Sequence, residues 1–214
     1  MNSFLADAKD VVLAHSGSEY RPRLAALFAF DSELSAAVTR TSEPIVAQLR
    51  LAWWRDEIGK PKRARTLSVP LLAELTDIYG SEISKLGELV DGFEALALND
   101  AESGLKGVYG VQKGRTTALN AVIGAENASE LAQQLRDVAA SWTFAQYAGG
   151  EAHPALKQVA ADLLTRKPPA FPRELRGLTI LDRLARRSIA RGGGPLLATR
   201  GDATTALRLG LFGR

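Results

Sequence analysis

The chain has 214 residues, of which 46% are hydrophobic and 24% are charged, a composition typical of one globular domain or at most two small ones. It contains no cysteine and only two histidines. These counts exclude a disulfide framework, a thiolate metal site, a cysteine nucleophile and a histidine metal cluster.

Helical periodicity runs along most of the chain, whereas the alternation typical of strands is almost absent. The opening residues predict a short entry helix that ends near Gly17. Two amphipathic segments follow within Arg21–Ile58. The first segment has an apolar face formed by Leu24, Leu27, Phe28, Leu34 and Val38. The second has a face formed by Ile45, Leu49, Ala52 and Trp53, which we expect to be buried as well.

A third helix is predicted to end at Gly80, and Ser81 is a candidate cap for a fourth. The fifth segment, residues 105–123, contains three glycines, each costing about 1 kcal/mol against alanine in a helix, which indicates close packing or a bend. A capping pair at Asn127 and Glu130 opens a sixth helix. Further apolar periods follow to the C-terminal end. We therefore predict an all-α protein, a single domain over residues 1–214 with about seven to nine helices.

Two sequence motifs could indicate a binding site. The sequence KGRTT at Lys113–Thr117 superficially resembles a phosphate-binding loop, but its glycine spacing is wrong and no strand precedes it, which favours a helix interior. The acids Glu88, Asp91 and Glu94 fall away from the apolar face of their helix. A solvated stripe is favoured there over a metal site.

The net charge is only +3, but residues 155–214 hold twelve Lys/Arg against four Asp/Glu, a local charge of +8. We interpret this basic quarter as a set of helix faces that are exposed to solvent. Contact with an anionic membrane surface or an acidic partner stays open, whereas no motif or aromatic pattern supports nucleic acid as a partner. No apolar run approaches the roughly 20 residues of a membrane span, and no signal-peptide pattern is present. The prediction is a cytoplasmic protein, with a peripheral position at the inner face of the membrane as the open alternative.

Several residues carry a resemblance to a known family. In the opening segments these are Arg21, Leu27–Phe30, Glu33 and Arg50–Arg55, the last containing Trp53-Trp54. Further along they are Val69–Gly80, Leu89–Leu98, Tyr109 with Gly114 and Gly124, and Phe171–Gly177. With these residues the chain resembles the squalene/phytoene synthase family over roughly positions 20–190 of the printed sequence.

That resemblance implies a single all-α isoprenoid-synthase-like bundle, shortened at the C-terminus because the chain is shorter than a full-length synthase. Members of the family condense two prenyl diphosphates, and two aspartate clusters hold the Mg²⁺ ions that neutralise the departing diphosphate. By the same resemblance, the candidates for a substrate pocket are Phe30, Glu33, Trp54 and Tyr109.

The chain departs from the family where metal would bind. Ser35, Ala36 and Thr39 stand at positions of the first aspartate cluster, and Leu96 stands where the family often has a further aspartate. The second cluster belongs near Trp142–Gly150, which contains no carboxylate. We therefore predict no catalytic residue, no metal and no cofactor.

Three hypotheses follow. The first is a non-catalytic family member, a pseudoenzyme that binds a protein partner or an apolar isoprenoid or lipid; it is similar to a branch with decayed aspartates that assists respiratory complex I assembly. The alternative is a divergent prenyl-diphosphate transferase of terpenoid synthesis, which would need Mg²⁺. The third is an all-α interaction module unrelated to isoprenoids, in which Trp53, Trp54 and Tyr109 are ordinary core aromatics.

Overall fold

A computed structural model describes residues 6–40, 43–98 and 101–213, and the predicted all-α class is confirmed, because those residues form helices and no strand. The α-helices are α1 Ala6–Ala14, α2 Arg21–Thr39, α3 Pro44–Gly59, α4 Pro70–Tyr79, α5 Gly87–Ala97, α6 Ala101–Ile123, α7 Ala125–Glu130, α8 Ala132–Tyr147, α9 Pro154–Thr165, α10 Arg176–Ala190 and α11 Arg200–Phe212. Short 3₁₀ helices lie at Lys62–Ala64, Gly80–Leu86 and Arg173–Leu175. Among these described helices, none is both long and apolar enough to cross a bilayer.

Two expected helix starts are wrong. Ser81 does not cap a helix, because Gly80–Leu86 is a 3₁₀ helix and α5 begins only at Gly87. Asn127 and Glu130 both lie inside the six-residue helix α7, and the next helix, α8, begins at Ala132. A helix as short as α7 carries too few turns to show a period, so the described residues hold more helical segments than periodicity predicts.

The described chain divides into two compact units. The middle unit is Pro22–Glu130, and the terminal unit combines Met1–Arg21 with Leu131–Arg214. Each has its own buried apolar core. The single-domain interpretation of the sequence stays a prediction.

In the middle unit, α5 and α6 approach each other backbone to backbone. A Cβ atom added to Gly92 would lie 2.4 Å from the Val111 nitrogen, and one added to Gly110 would lie 2.9 Å from the Gly92 Cα. Gly107 and Gly114 are in equally close contact with α5. The prediction of close packing from the glycines of this segment is therefore confirmed, since only hydrogen fits at these positions.

Arg23 connects α2 to three other parts of the middle unit. Its guanidinium donates to Glu82 at 3.0 Å and to the Ala121 carbonyl at 2.6 Å, and it lies 5.7 Å from the centre of the Tyr79 ring. The Tyr79 hydroxyl in turn donates to the Arg23 carbonyl at 2.7 Å. Burial raises the pKa of Tyr79, so this hydroxyl keeps its proton and remains a donor.

Near the end of α3, the buried carboxylate of Glu57 holds the following loop. It accepts hydrogen bonds from the Thr66 backbone N–H at 2.7 Å and from the Thr66 hydroxyl at 3.0 Å, and Lys60 pairs with it. The hydrogen bond from Lys60 holds the pKa of Glu57 below its ordinary value, against the opposing effect of burial, with Thr66 also lowering it.

We expect Glu57→Gln to reduce the free energy of unfolding by about 1 kcal/mol at pH 7, because the amide loses the charge that these donors stabilise. A carboxyl with a lowered folded-state pKa stabilises the protein above its unfolded pKa of about 4.3, and the contribution is lost as pH falls through the folded-state value. The difference between the two proteins, measured by urea unfolding, should therefore shrink below about pH 4. Glu74→Gln, on the exposed side of α4, is the control; an equal difference at all pH values would contradict the expectation.

In the terminal unit, α10 packs against α8, α1, α9 and α11. Gly177 allows α10 to approach α1, since a Cβ there would lie 2.3 Å from the Val12 carbonyl oxygen. A capping box of Thr199 and Asp202 opens α11. The buried Asp202 carboxylate also accepts from Arg187 at 2.6 Å and Arg191 at 2.9 Å. Burial acts to raise the pKa of Asp202, but the hydrogen bonds from Arg187 and Thr199 outweigh it, so the pKa lies below its ordinary value.

Candidate functional site

Phe30 and Trp54, two of the four predicted pocket residues, contact each other inside the middle unit. Their ring centres are 5.1 Å apart with the planes at 72°, and Trp53 meets Trp54 in a similar edge-to-face contact at 4.9 Å. Phe30 and Trp54 are buried, whereas Trp53 is half-buried. Such edge contacts contribute about 0.5–1.5 kcal/mol each beyond burial, and the Phe30–Trp54 contact joins α3 to α2.

A buried ion pair lies next to Phe30 along the chain. Arg115 of α6 donates from Nε and Nη2 to the two carboxylate oxygens of Asp31, at 2.8 and 2.9 Å. The side chains are 0% and 4% exposed, respectively. The geometry is bidentate, which matches the planar guanidinium to the planar carboxylate. Each oxygen of Asp31 is thereby engaged by a cation of the same unit.

The residues that stand where the family has its first aspartate cluster follow Asp31 along α2. Ser35 and Ala36 are half-buried, and Thr39 is exposed and donates its hydroxyl to the Ser35 carbonyl at 2.9 Å. Glu33 is half-buried and forms no ion pair among the described residues. Within the described ranges, no three side chains of the Asp, Glu and His types are grouped as a metal site would require.

The acids of α5 are also paired within the middle unit. Arg55 of α3 binds Asp91 at 2.9 Å and also contacts Glu94. Glu88 accepts from the Thr117 hydroxyl at 2.6 Å and pairs with Lys113 at 3.1 Å. The hydrogen bond from Thr117 is the main cause that lowers the pKa of Glu88, against burial, and Lys113 lowers it further.

Lys113 and Thr117 belong to the sequence KGRTT, which lies inside α6 as predicted. Its cation Arg115 points into the core and its cation Lys113 lies on the surface. The structure therefore gives this motif an internal role in pairing α6 with α2 and α5.

Tyr109 and Leu96 lie on the packed pair α5–α6. Tyr109 is on α6 and 39% exposed. Leu96 is half-buried on α5 and lies against Gly107, where an added Cβ would meet its backbone nitrogen at 2.6 Å. Leu96 therefore acts in helix packing. The substrate-pocket role of Tyr109, Phe30, Glu33 and Trp54 stays a prediction.

The second predicted apolar face, on α3, is not buried. Ile45 is 57% exposed and Leu49 is 64% exposed, while Ala52 is also exposed and Trp53 half-buried. The buried side of α3 is a different stripe of the same helix, formed by Ala47, Leu51, Trp54, Glu57 and Ile58. We call the exposed set Ile45, Val46, Leu49 and Ala52 the α3 stripe. The expectation that this face is core is wrong, because α3 carries two apolar stripes and only one of them meets the rest of the unit.

Asp31 and Arg115 are the residues that the sequence reasoning missed. A usable signal existed, since Asp31 falls on the apolar face of α2 between Leu27 and Leu34, and Arg115 follows Val111 on an apolar face of α6. Isolated opposite charges on two apolar faces predict a buried pair, because either charge alone would be costly to bury.

Comparison with family models, with curated proteins and with solved structures finds no match to this chain.

Proposed function

We propose that this chain is a non-catalytic helical protein, of isoprenoid-synthase-like architecture, that docks a protein partner. By its resemblance to the branch with decayed aspartates, we further propose that the partner belongs to the assembly of respiratory complex I. The observation that carries the non-catalytic part is the bidentate Asp31–Arg115 pair. A guanidinium that fills both oxygens of a buried carboxylate neutralises it without a metal ion.

Three acids of α5 support the same proposal. Asp91 and Glu94 are bound by Arg55, and Glu88 by Lys113 and Thr117. Each of these three carboxylates therefore already has a basic partner from within the unit, and displacing that partner would add to the cost of binding Mg²⁺.

The α3 stripe supports protein docking. Ile45, Leu49 and Ala52 recur at intervals of four and three residues, so they line one side of the helix. Exposed apolar groups at this spacing are the pattern that an amphipathic helix of a partner recognises. We therefore propose that an amphipathic helix of another protein binds to this stripe.

Replacing Leu49 by glutamate should abolish function without lowering stability. Leu49 is largely exposed, so the charge costs little in the isolated protein, but it would be desolvated against the partner. In cells that lack this protein, complex I activity should be restored by the unchanged chain and not by Leu49→Glu. The matched control is Leu98→Glu at the C-cap of α5, 56% exposed, which should restore activity in full.

Three outcomes would contradict the proposal. Unchanged complex I levels after deletion would remove the assembly role. Full rescue by Leu49→Glu would remove the α3 stripe as the docking surface. Release of diphosphate from farnesyl diphosphate and Mg²⁺ above a no-protein control would favour the divergent transferase instead.

A further inference from the structure

The terminal unit contains a cavity of about 370 Å³ whose wall is rich in arginine. Helix α10 contributes Arg183, Arg186 and Arg187, and α11 contributes Arg208. Among the described residues that line it, none is Asp or Glu. A volume of this size falls at the small end of the roughly 300–1,000 Å³ of ligand pockets.

Arg186 is the buried member of this group, with 6% of its surface exposed. Its Nε donates to the Asp182 carboxylate at 2.9 Å, and its Nη1 donates to the carbonyls of Leu163 at 2.6 Å and Arg166 at 3.1 Å. These bonds fix the guanidinium in place. Its Nη2 is buried and has no hydrogen-bond partner among the described residues. An unpartnered buried donor on a fixed cation is a costly feature, and an anion bound in the cavity that Arg186 lines would offset the charge of that cation.

The charges around the cavity do not cancel. Asp182 pairs with Arg186, and Asp202 pairs with Arg187. Arg183 and Arg208 form no ion pair within the described ranges, and the Nε of Arg183 is also buried without a hydrogen-bond partner. Two of the four lining arginines, Arg183 and Arg208, therefore carry charge outside any described ion pair, which suits the charge of about −1.5 to −2 that a phosphate monoester carries at pH 7.

An apolar cavity of about 350 Å³ adjoins the arginine-lined one. The two cavities share Leu164 of α9 and Ala190 of α10 as lining residues. The second is lined mainly by small or aliphatic groups, including Ala160, Ala161 and Ile189. An arginine-rich cavity beside a mainly apolar one, which Lys157 also lines, has the polarity of a site for an amphiphile with an anionic head.

We propose that α9, α10 and α11 form a binding site for a phosphate monoester carried on an apolar chain. Arg183, Arg186 and Arg208 bind the phosphate oxygens, because guanidinium groups match phosphate geometry and charge. Leu164 and Ile189 contact the apolar chain. The site does not depend on the docking proposed for α3, since all of its residues belong to the terminal unit.

The test is titration of the full chain with dioctanoyl phosphatidic acid, with dioctanoylglycerol as the probe that lacks phosphate. We expect saturable binding of the first and none of the second. Arg183→Gln and Arg208→Gln should each weaken binding about tenfold or more, whereas Arg200→Gln, which removes the same charge from an exposed position at the start of α11, should not. Circular dichroism and thermal melting check that each variant is folded.

Further arms distinguish the source of the phosphate. Binding of inorganic phosphate alone at comparable affinity would assign the site to a free phosphate, and binding to vesicles of phosphatidylcholine with phosphatidic acid would assign it to a membrane lipid. The proposal is overturned if no phosphate probe binds saturably. It is also overturned if Arg200→Gln weakens binding as much as the two cavity variants, because the effect would then be general surface charge.

Discussion

Arg115→Met should destabilise the protein by about 3–5 kcal/mol, the largest effect that we expect from any single change outside the glycines. The substitution keeps the apolar stem of the side chain but leaves Asp31 buried, charged and without its bidentate partner. Urea unfolding at pH 7, followed by circular dichroism, measures the loss. Because a domain is stable by only about 5–15 kcal/mol, the variant should be close to unfolding at 37 °C.

Two controls make this expectation specific. Lys62→Met breaks the exposed pair with Asp77 and should change stability by less than about 1 kcal/mol. The double variant Asp31→Leu with Arg115→Met removes both buried charges and should be more stable than Arg115→Met alone. Additive losses in this double-mutant cycle would contradict the idea that an unpaired charge causes the effect.

Gly114→Ala should separate α5 from α6 and cost about 3 kcal/mol or more. A Cβ atom at this position would lie 2.4 Å from the Leu89 Cα and 2.7 Å from the Glu88 carbonyl oxygen. These are backbone atoms, so no rotation of a side chain can relieve the clash. The measurement is the midpoint of thermal unfolding together with the free energy from urea unfolding.

The same helix offers the matched control. Gly104 also lies in α6, but an added Cβ there would meet no atom of the described residues within 4 Å. Gly104→Ala should therefore stabilise the protein by about 0.5–1 kcal/mol, because alanine has the higher helix propensity and restricts the unfolded chain. Opposite signs for the two substitutions are the expected result. Equal effects would show that the glycines act through propensity and not through close packing.

Several helices of this fold, α4, α5, α9 and α10 above all, could be predicted from the sequence because their amphipathic periodicity is clear. The end of α4 at Gly80, the end of α6 at Gly124 and the close packing of the glycine-rich segment all follow from residue types with narrow conformational roles. In contrast, periodicity alone cannot say which of two apolar stripes on α3 is buried, because Ile45 and Leu51 are equally apolar. That choice depends on tertiary packing.

The arginine-lined cavity of the terminal unit could not be predicted from the sequence, for a related physical reason. Arginines on α10 at intervals of three and four residues look like a solvated face in the sequence. Only the packing of α9 and α11 beside α10 places these arginines around one cavity, where Arg186 is buried and Arg183 forms no ion pair within the described ranges. The sequence shows that this region is positively charged. It does not show that a cavity forms there, because the cavity depends on how segments distant in the sequence pack together.

The backbone contact between α5 and α6 has a consequence for the rate and entropy of the partner binding that we propose. Helices that touch at glycines have little freedom to slide, and Arg55 ties α3 to this pair through Asp91 and Glu94. The α3 stripe is therefore presented on a preorganised frame. If the proposed helix docks there, the entropy lost on association falls on that helix, and its binding need not wait for this chain to rearrange.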